Sequence, residues 1–128
     1  MARNNRVFIA FAIEDEWARD YLVGQARNER SPFEFVDMSV REPFTDEWKR
    51  RCRERMSRCD GAIAMVSSNT ERAAGQLWEI RTAKELRLPL IGMHTKQDSR
   101  PRYLPQELQG VRILDWTWPN IAAFLRGL

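Results

Sequence analysis

The sequence predicts an α/β fold, a three-layer sandwich around a five-stranded parallel sheet in the flavodoxin-like order 2-1-3-4-5. Three observations predict it. Five short apolar runs alternate with segments of helical period. The middle run, Gly61 to Val66, is apolar throughout, as a strand covered on both faces must be. The 128 residues contain no repeat, linker or low-complexity tract, so 1–128 reads as one domain around one sheet. Right-handed crossovers in a chain of this length then favour the 2-1-3-4-5 order.

Each element has its own signal. Arg6 to Phe11 is a β-rich run and the first strand. Glu14, Asp15 and Glu16 place acids where a helix N-terminus favours them, and Trp17, Tyr21, Leu22 and Gln25-Ala26 carry that helix to about Asn28. Ser31-Pro32 is a turn, and Phe33 to Val36 is a second strand closed by Asp37. Thr45 caps the next helix, with Asp46 and Glu47 in its first turn. Trp48, Cys52, Met56 and Cys59 then form an apolar stripe along it. After the third strand, Gly61 to Val66, a helix runs from about Ala73 to Arg87 and stops before Pro89. Leu90 to His94 is the fourth strand, Thr95 to Arg102 a polar loop, and Leu104 to Leu108 a short helical turn. Val111 to Leu114 is the fifth strand, and Pro119 to Leu125 a closing helix with proline near its start.

Composition excludes several function classes. No apolar run approaches the roughly 20 residues needed to span a bilayer, and no signal peptide is visible in Met1 to Arg6, so a cytoplasmic location is expected. Cys52 and Cys59 lie seven residues apart on one helix, a rise of about 10 Å that forbids a disulfide between them. With His94 the only histidine, no Cys/His metal set is expected, and the cysteines read as buried free thiols. The net charge of +3 comes largely from Lys49, Arg50, Arg51, Arg53, Arg55 and Arg58. These fill the positions left by the apolar stripe, which is the pattern of a solvated helix face rather than of a nucleic-acid surface.

In a parallel sheet, ligands bind beyond the carboxyl ends of the strands. The site is therefore expected at Ser67 to Ile80, where strand three delivers a small-polar loop and the following helix presents Glu79 beside Trp78. The loop after strand one, Ala12-Ile13-Glu14-Asp15, has neither the glycine nor the hydroxyls of a flavin-phosphate cradle. Glu14 and Asp15 could supply the acidic pair of a phospho-receiver domain. Strand three, however, ends at Ser67 rather than an aspartate, and strand five at Asp115 rather than a lysine.

A third class fits. The strand Arg6-Val-Phe-Ile-Ala-Phe11 with the acids behind it resembles the opening of TIR-type domains. Ala62-Ile-Ala-Met-Val-Ser-Ser-Asn-Thr70 followed by Trp78-Glu79-Ile80 resembles their third strand and the helix bearing the catalytic glutamate, and Leu90 to His94 resembles the next strand. The similarity is closest to the bacterial TIR-like branch that includes the TIR protein of Thoeris anti-phage systems. One position departs: Gly75 stands where members of this branch often carry tryptophan, four residues before the glutamate.

The resemblance implies cleavage of the nicotinamide–ribose bond of NAD as substrate, with no cofactor and no metal, through Glu79. The product is ADP-ribose or a cyclic ADP-ribose isomer that signals to a separate effector. It also implies self-association. The competing assignment is a non-catalytic TIR-like assembly module, in which Glu79 is an exposed helical carboxylate. The supporting residues each have two readings. Phe11 either stacks on a substrate ring or fills the core. Ser67 bonds a ribose hydroxyl or caps its loop. Asp37 holds a ribose or forms a turn. Trp48 is a ligand contact or core. Trp78, about 100° around the helix from Glu79, lines the pocket or packs inward.

Overall fold

A computed structural model describes residues 5–38, 42–96 and 100–128. β1 (Arg6–Ala10) leads through a 3-10 turn at Ile13–Asp15 into α1 (Glu16–Asn28), and β2 (Glu34–Val36) precedes α2 (Asp46–Met56). β3 (Gly61–Val66) passes through a 3-10 turn at Thr70–Arg72 into α3 (Ala74–Glu85). β4 (Leu90–His94), a turn at Gln106–Leu108, β5 (Arg112–Asp115) and α4 (Trp118–Arg126) complete the chain. All four pairings are parallel, and the strand order is β2-β1-β3-β4-β5, as the sequence predicted.

Strand alternation assigns the layers, because successive side chains leave opposite faces of a strand. From β1 and β3, Phe8, Ala10, Ala62, Ala64 and Val66 pack with Trp48, Cys52 and Met56 of α2 and Ile80 and Ala83 of α3. Val7, Ile9, Ile63 and Met65 point the other way, against Ala18 and Leu22 of α1 and Ile121 and Leu125 of α4. The sheet is thus filled on both sides, which is why β3 is buried at every position. At Gly92 a Cβ would stand 3.0 Å from Ile113 Cγ1 and 3.2 Å from Val66 Cγ2, so β4 carries glycine where these two branched neighbours close over it.

Helix ends follow from local chemistry. The Thr45 hydroxyl accepts from Trp48 N at 3.2 Å and caps α2, and Thr117 caps α4 through Asn120 N. α3 stops two residues earlier than its sequence signal because Arg87 turns into the left-handed region at φ 58°, and Leu88 N then reaches back to Ala83 O at 3.0 Å. β1 ends at Ala10, leaving Phe11 just past the sheet, and β5 runs one residue later than expected, to Asp115. Part of the expected Thr95 to Arg102 loop and most of the N-terminal hexapeptide lie outside the described residues. Both cysteines are free and buried. Among the described residues no helix is long and apolar enough to cross a membrane.

Candidate active site

At the carboxyl end of β1, between its outgoing loop and the facing ends of α2 and α3, lies a cavity of about 250 Å³. Phe11 to Glu14 form one wall, Phe44 and Trp48 another, and Arg72 to Gln76 a third, with Met38, Glu42 and Glu79 completing it. Of the residues singled out from sequence, Phe11, Trp48 and Glu79 come together here. Asp37, Ser67 and Trp78 lie outside its walls, each held by other contacts.

Those contacts are specific. Ser67 Oγ donates a short hydrogen bond to the buried Asp15 carboxylate and accepts from Asn69 N at 3.0 Å, while Asn69 Nδ2 donates to the other Asp15 oxygen at 3.2 Å. This network ties the loop after β1 to the loop after β3. Asp37 accepts from Arg19 Nη1 at 2.6 Å, and its carbonyl accepts from Arg55 Nη1 at 2.6 Å. The Arg19 guanidinium in turn lies 5.4 Å from the centre of the Phe11 ring, so Phe11 packs into the core, borders the cavity and carries a cation over one face. Trp78 packs edge-on behind Trp48, with ring centres 5.7 Å apart, and Phe44 meets Trp48 from the other side at 5.0 Å.

The Gly75 departure finds its explanation in this aromatic row. A Cβ on Gly75 would have only Trp48 Cη2 within 4 Å, at 3.9 Å. The aromatic wall comes from α2, and glycine on α3 leaves room beside the Trp48 indole. Because a methyl group fits there without strain, Gly75→Ala is expected to stabilise the fold by about 0.5 kcal/mol through the entropy of the unfolded chain. That is a rise of roughly 2 °C in Tm, readable by calorimetry; a fall would show that the first turn of α3 has no room for a side chain.

Glu79 is 5% exposed, so the expectation of an exposed helical carboxylate is overturned. Its one side-chain hydrogen-bond partner among the described residues is the Cys52 thiol, with Sγ 3.8 Å from Oε2. Burial first, and the Asp37 carboxylate second, push the Glu79 carboxyl well above its usual range, while the thiol bond pulls the other way.

Three site residues escaped the sequence reading. Phe44 stands just ahead of the Thr45 cap, where an apolar residue commonly folds back on its helix. Cys52 was assigned to the core, and only the tertiary structure brings it to Glu79. Gln76 precedes Glu79 by three residues, which puts both on one helix face, a signal that was present in the sequence. Its Nε2 donates to Ala10 O at 3.0 Å and Met65 O at 2.7 Å, bridging the ends of β1 and β3. Both amide hydrogens are used, so the amide orientation is fixed and Oε1 is left buried without a partner among the described residues.

This five-stranded parallel sheet, in the order β2-β1-β3-β4-β5, is that of TIR domains. The TIR domain of the Toll-related receptor TRR-2 from Hydra magnipapillata superimposes with a TM-score of 0.68, over 94% of this chain and 97% of that one, at 20% identity. The family model described as "Thoeris protein ThsB, TIR-like domain" matches residues 8–100, and the chain belongs to that family. No curated protein matches the chain.

Proposed function

We propose that this TIR-like domain is an NAD-consuming enzyme that breaks the bond between nicotinamide and ribose, with Glu79 as its catalytic carboxylate. The observation that carries this reading is a buried carboxylate on an aromatic-walled cavity, with no cationic partner among the described residues. A carboxylate so placed is costly to ionise unless something positive arrives, and the nicotinamide ring of NAD is a cation. As the bond breaks, positive charge moves onto the ribose, where the carboxylate stabilises it. Nicotinamide leaves neutral, so no general acid is needed.

The cavity volume suits the nicotinamide riboside end rather than a whole dinucleotide. Phe11, Phe44 and Trp48 offer ring faces and edges to nicotinamide. The remainder of NAD extends past Arg72 and the first turn of α3, whose N-terminus has no side-chain cap. A cation and free backbone N–H groups suit a pyrophosphate. Water attacking the ribose gives ADP-ribose; attack by another atom of the same nucleotide gives a cyclic isomer. In a Thoeris-type setting the cyclic product would signal to a separate effector in anti-phage defence, and self-association would gate the activity.

The test is chromatography and mass spectrometry of NAD incubated with the protein at high concentration. Nicotinamide release, with ADP-ribose or a cyclic isomer as co-product, is the expected result. Absence of turnover at every protein concentration would overturn the reading and leave an assembly module. In that case charge reversal at Arg51 and Arg55, which bond Glu42 and the Asp37 carbonyl, would disturb function while Glu79→Gln would not.

A further inference from the structure

We propose that Cys52 is a positioning residue for Glu79: its thiol, presented from α2, holds one carboxylate oxygen and fixes the side chain's direction at the cavity. The proposal rests on Glu79 being the reacting carboxylate. Cys52 is fully buried, one turn beyond Trp48 on the face of α2 that packs against α3, and its Sγ lies 3.8 Å from Glu79 Oε2. Among the described residues, no other side chain is hydrogen-bonded to Glu79. Asp37, after β2, opposes the carboxylate while bonded to Arg19. Gln76, on α3 itself, uses both amide hydrogens on strand carbonyls. Phe11, Met38 and Trp48 are apolar walls, and the cavity's remaining charged groups are Glu14, Glu42 and Arg72. The thiol is therefore what orients the carboxylate from across the helix interface.

The same surroundings disfavour the thiolate that a nucleophilic or redox role needs. Burial, reinforced by Glu79, drives the Cys52 thiol far above its ordinary pKa, so it remains S–H across the working range. A neutral thiol is a weak donor that keeps its proton. It favours the ionised carboxylate without neutralising it, whereas an arginine or lysine in its place would leave less negative charge for the substrate cation to meet.

The experiment compares Cys52→Ala and Cys52→Ser with wild type by two readouts. One is the pH profile of kcat/KM for NAD. The other is the pH titration of the Glu79 carboxyl carbon by NMR in substrate-free protein, which is independent of turnover. Removing the donor in Cys52→Ala is expected to move the Glu79 titration upward, displace the acid limb of kcat/KM in the same direction, and lower kcat about five- to tenfold with little change in KM. Cys52→Ser restores a hydroxyl donor and is expected to bring the titration and the limb back toward wild type. If Cys52→Ala lowers thermal stability but leaves the Glu79 titration in place, the cysteine is packing alone and the proposal is wrong. If the titration moves while no variant, wild type included, cleaves NAD, the hydrogen bond stands and the NAD reading fails.

Discussion

Replacing Glu79 with glutamine is expected to abolish NAD cleavage, by on the order of 10³-fold or more, while making the folded protein more stable at neutral pH. The two effects share one cause. Glu79 is buried, opposed by Asp37, and among the described residues the Cys52 thiol is its one side-chain hydrogen bond. That arrangement favours a developing cation in the reaction and disfavours the resting anion. Glutamine keeps the shape and a carbonyl for the Cys52 thiol but carries no charge, so the electrostatic contribution to the reaction and the desolvation penalty vanish together.

The sign of the pH dependence follows from linkage. Burial holds the carboxyl of Glu79 well above the ordinary glutamate value of 4.5 in the fold, and it titrates near that value when unfolded. Between the two, the native state binds more protons than the unfolded state, so stability falls as pH rises. The Glu79 contribution is full below about pH 4.5 and is lost as pH climbs through the folded-state pKa. Subtracting the wild-type Tm from that of Glu79→Gln should therefore give a difference that grows with pH and is positive at neutrality, at about 4 °C for each kcal/mol in a chain of this size. Parallel Tm curves would show that Glu79 is not ionised at a cost in the fold. The kinetic counterpart is an acid limb of kcat/KM displaced above the ordinary carboxylate range. The limb of kcat should lie lower, because bound nicotinamide supplies the missing positive charge.

Much of the architecture was legible because it rests on local rules. The β-rich run Arg6 to Phe11, the unbroken apolar run Gly61 to Val66, the Thr45 cap and the acids ahead of α1 each act over a few residues and agree with one another. Glu79 was legible as a position on the helix following the central strand. Its burial was not, because burial depends on Trp48 and Cys52 arriving from α2. Trp78 shows the converse: adjacent to Glu79 in sequence, it is turned away on the helix and backs Trp48 instead. Ser67 and Asp15 are 52 residues apart, and nothing in either loop foretells that they bond. Where the resemblance puts a ring on α3 this chain has Gly75, and Trp48, one of the two-way readings from sequence, borders the cavity from α2.

The largest stability effect should come from Gln76, which the sequence analysis did not single out. In this fold the crossovers leave β1 and β3 in opposite directions, and a gap opens between their carboxyl ends. Gln76 bridges that gap from the first turn of α3, with Nε2 on Ala10 O and Met65 O. Gln76→Leu preserves bulk and helix propensity but removes both donors, and Met65 O then retains only the Thr70 hydroxyl at 3.5 Å as a side-chain partner. A loss of about 2–3 kcal/mol is expected, or roughly 8–12 °C in Tm. Gln76→Glu discriminates the bridge from simple packing. It is nearly isosteric, yet at neutral pH it sets a carboxylate against two carbonyl oxygens, so it should be at least as destabilising as leucine. It should partly recover under acid, where the protonated carboxyl again offers one donor. Equal, pH-independent losses for the two variants would show that only the volume of Gln76 matters. If the bridge holds, both variants also lower NAD turnover, since Glu79 lies one turn farther along the same helix and its direction depends on where that helix begins.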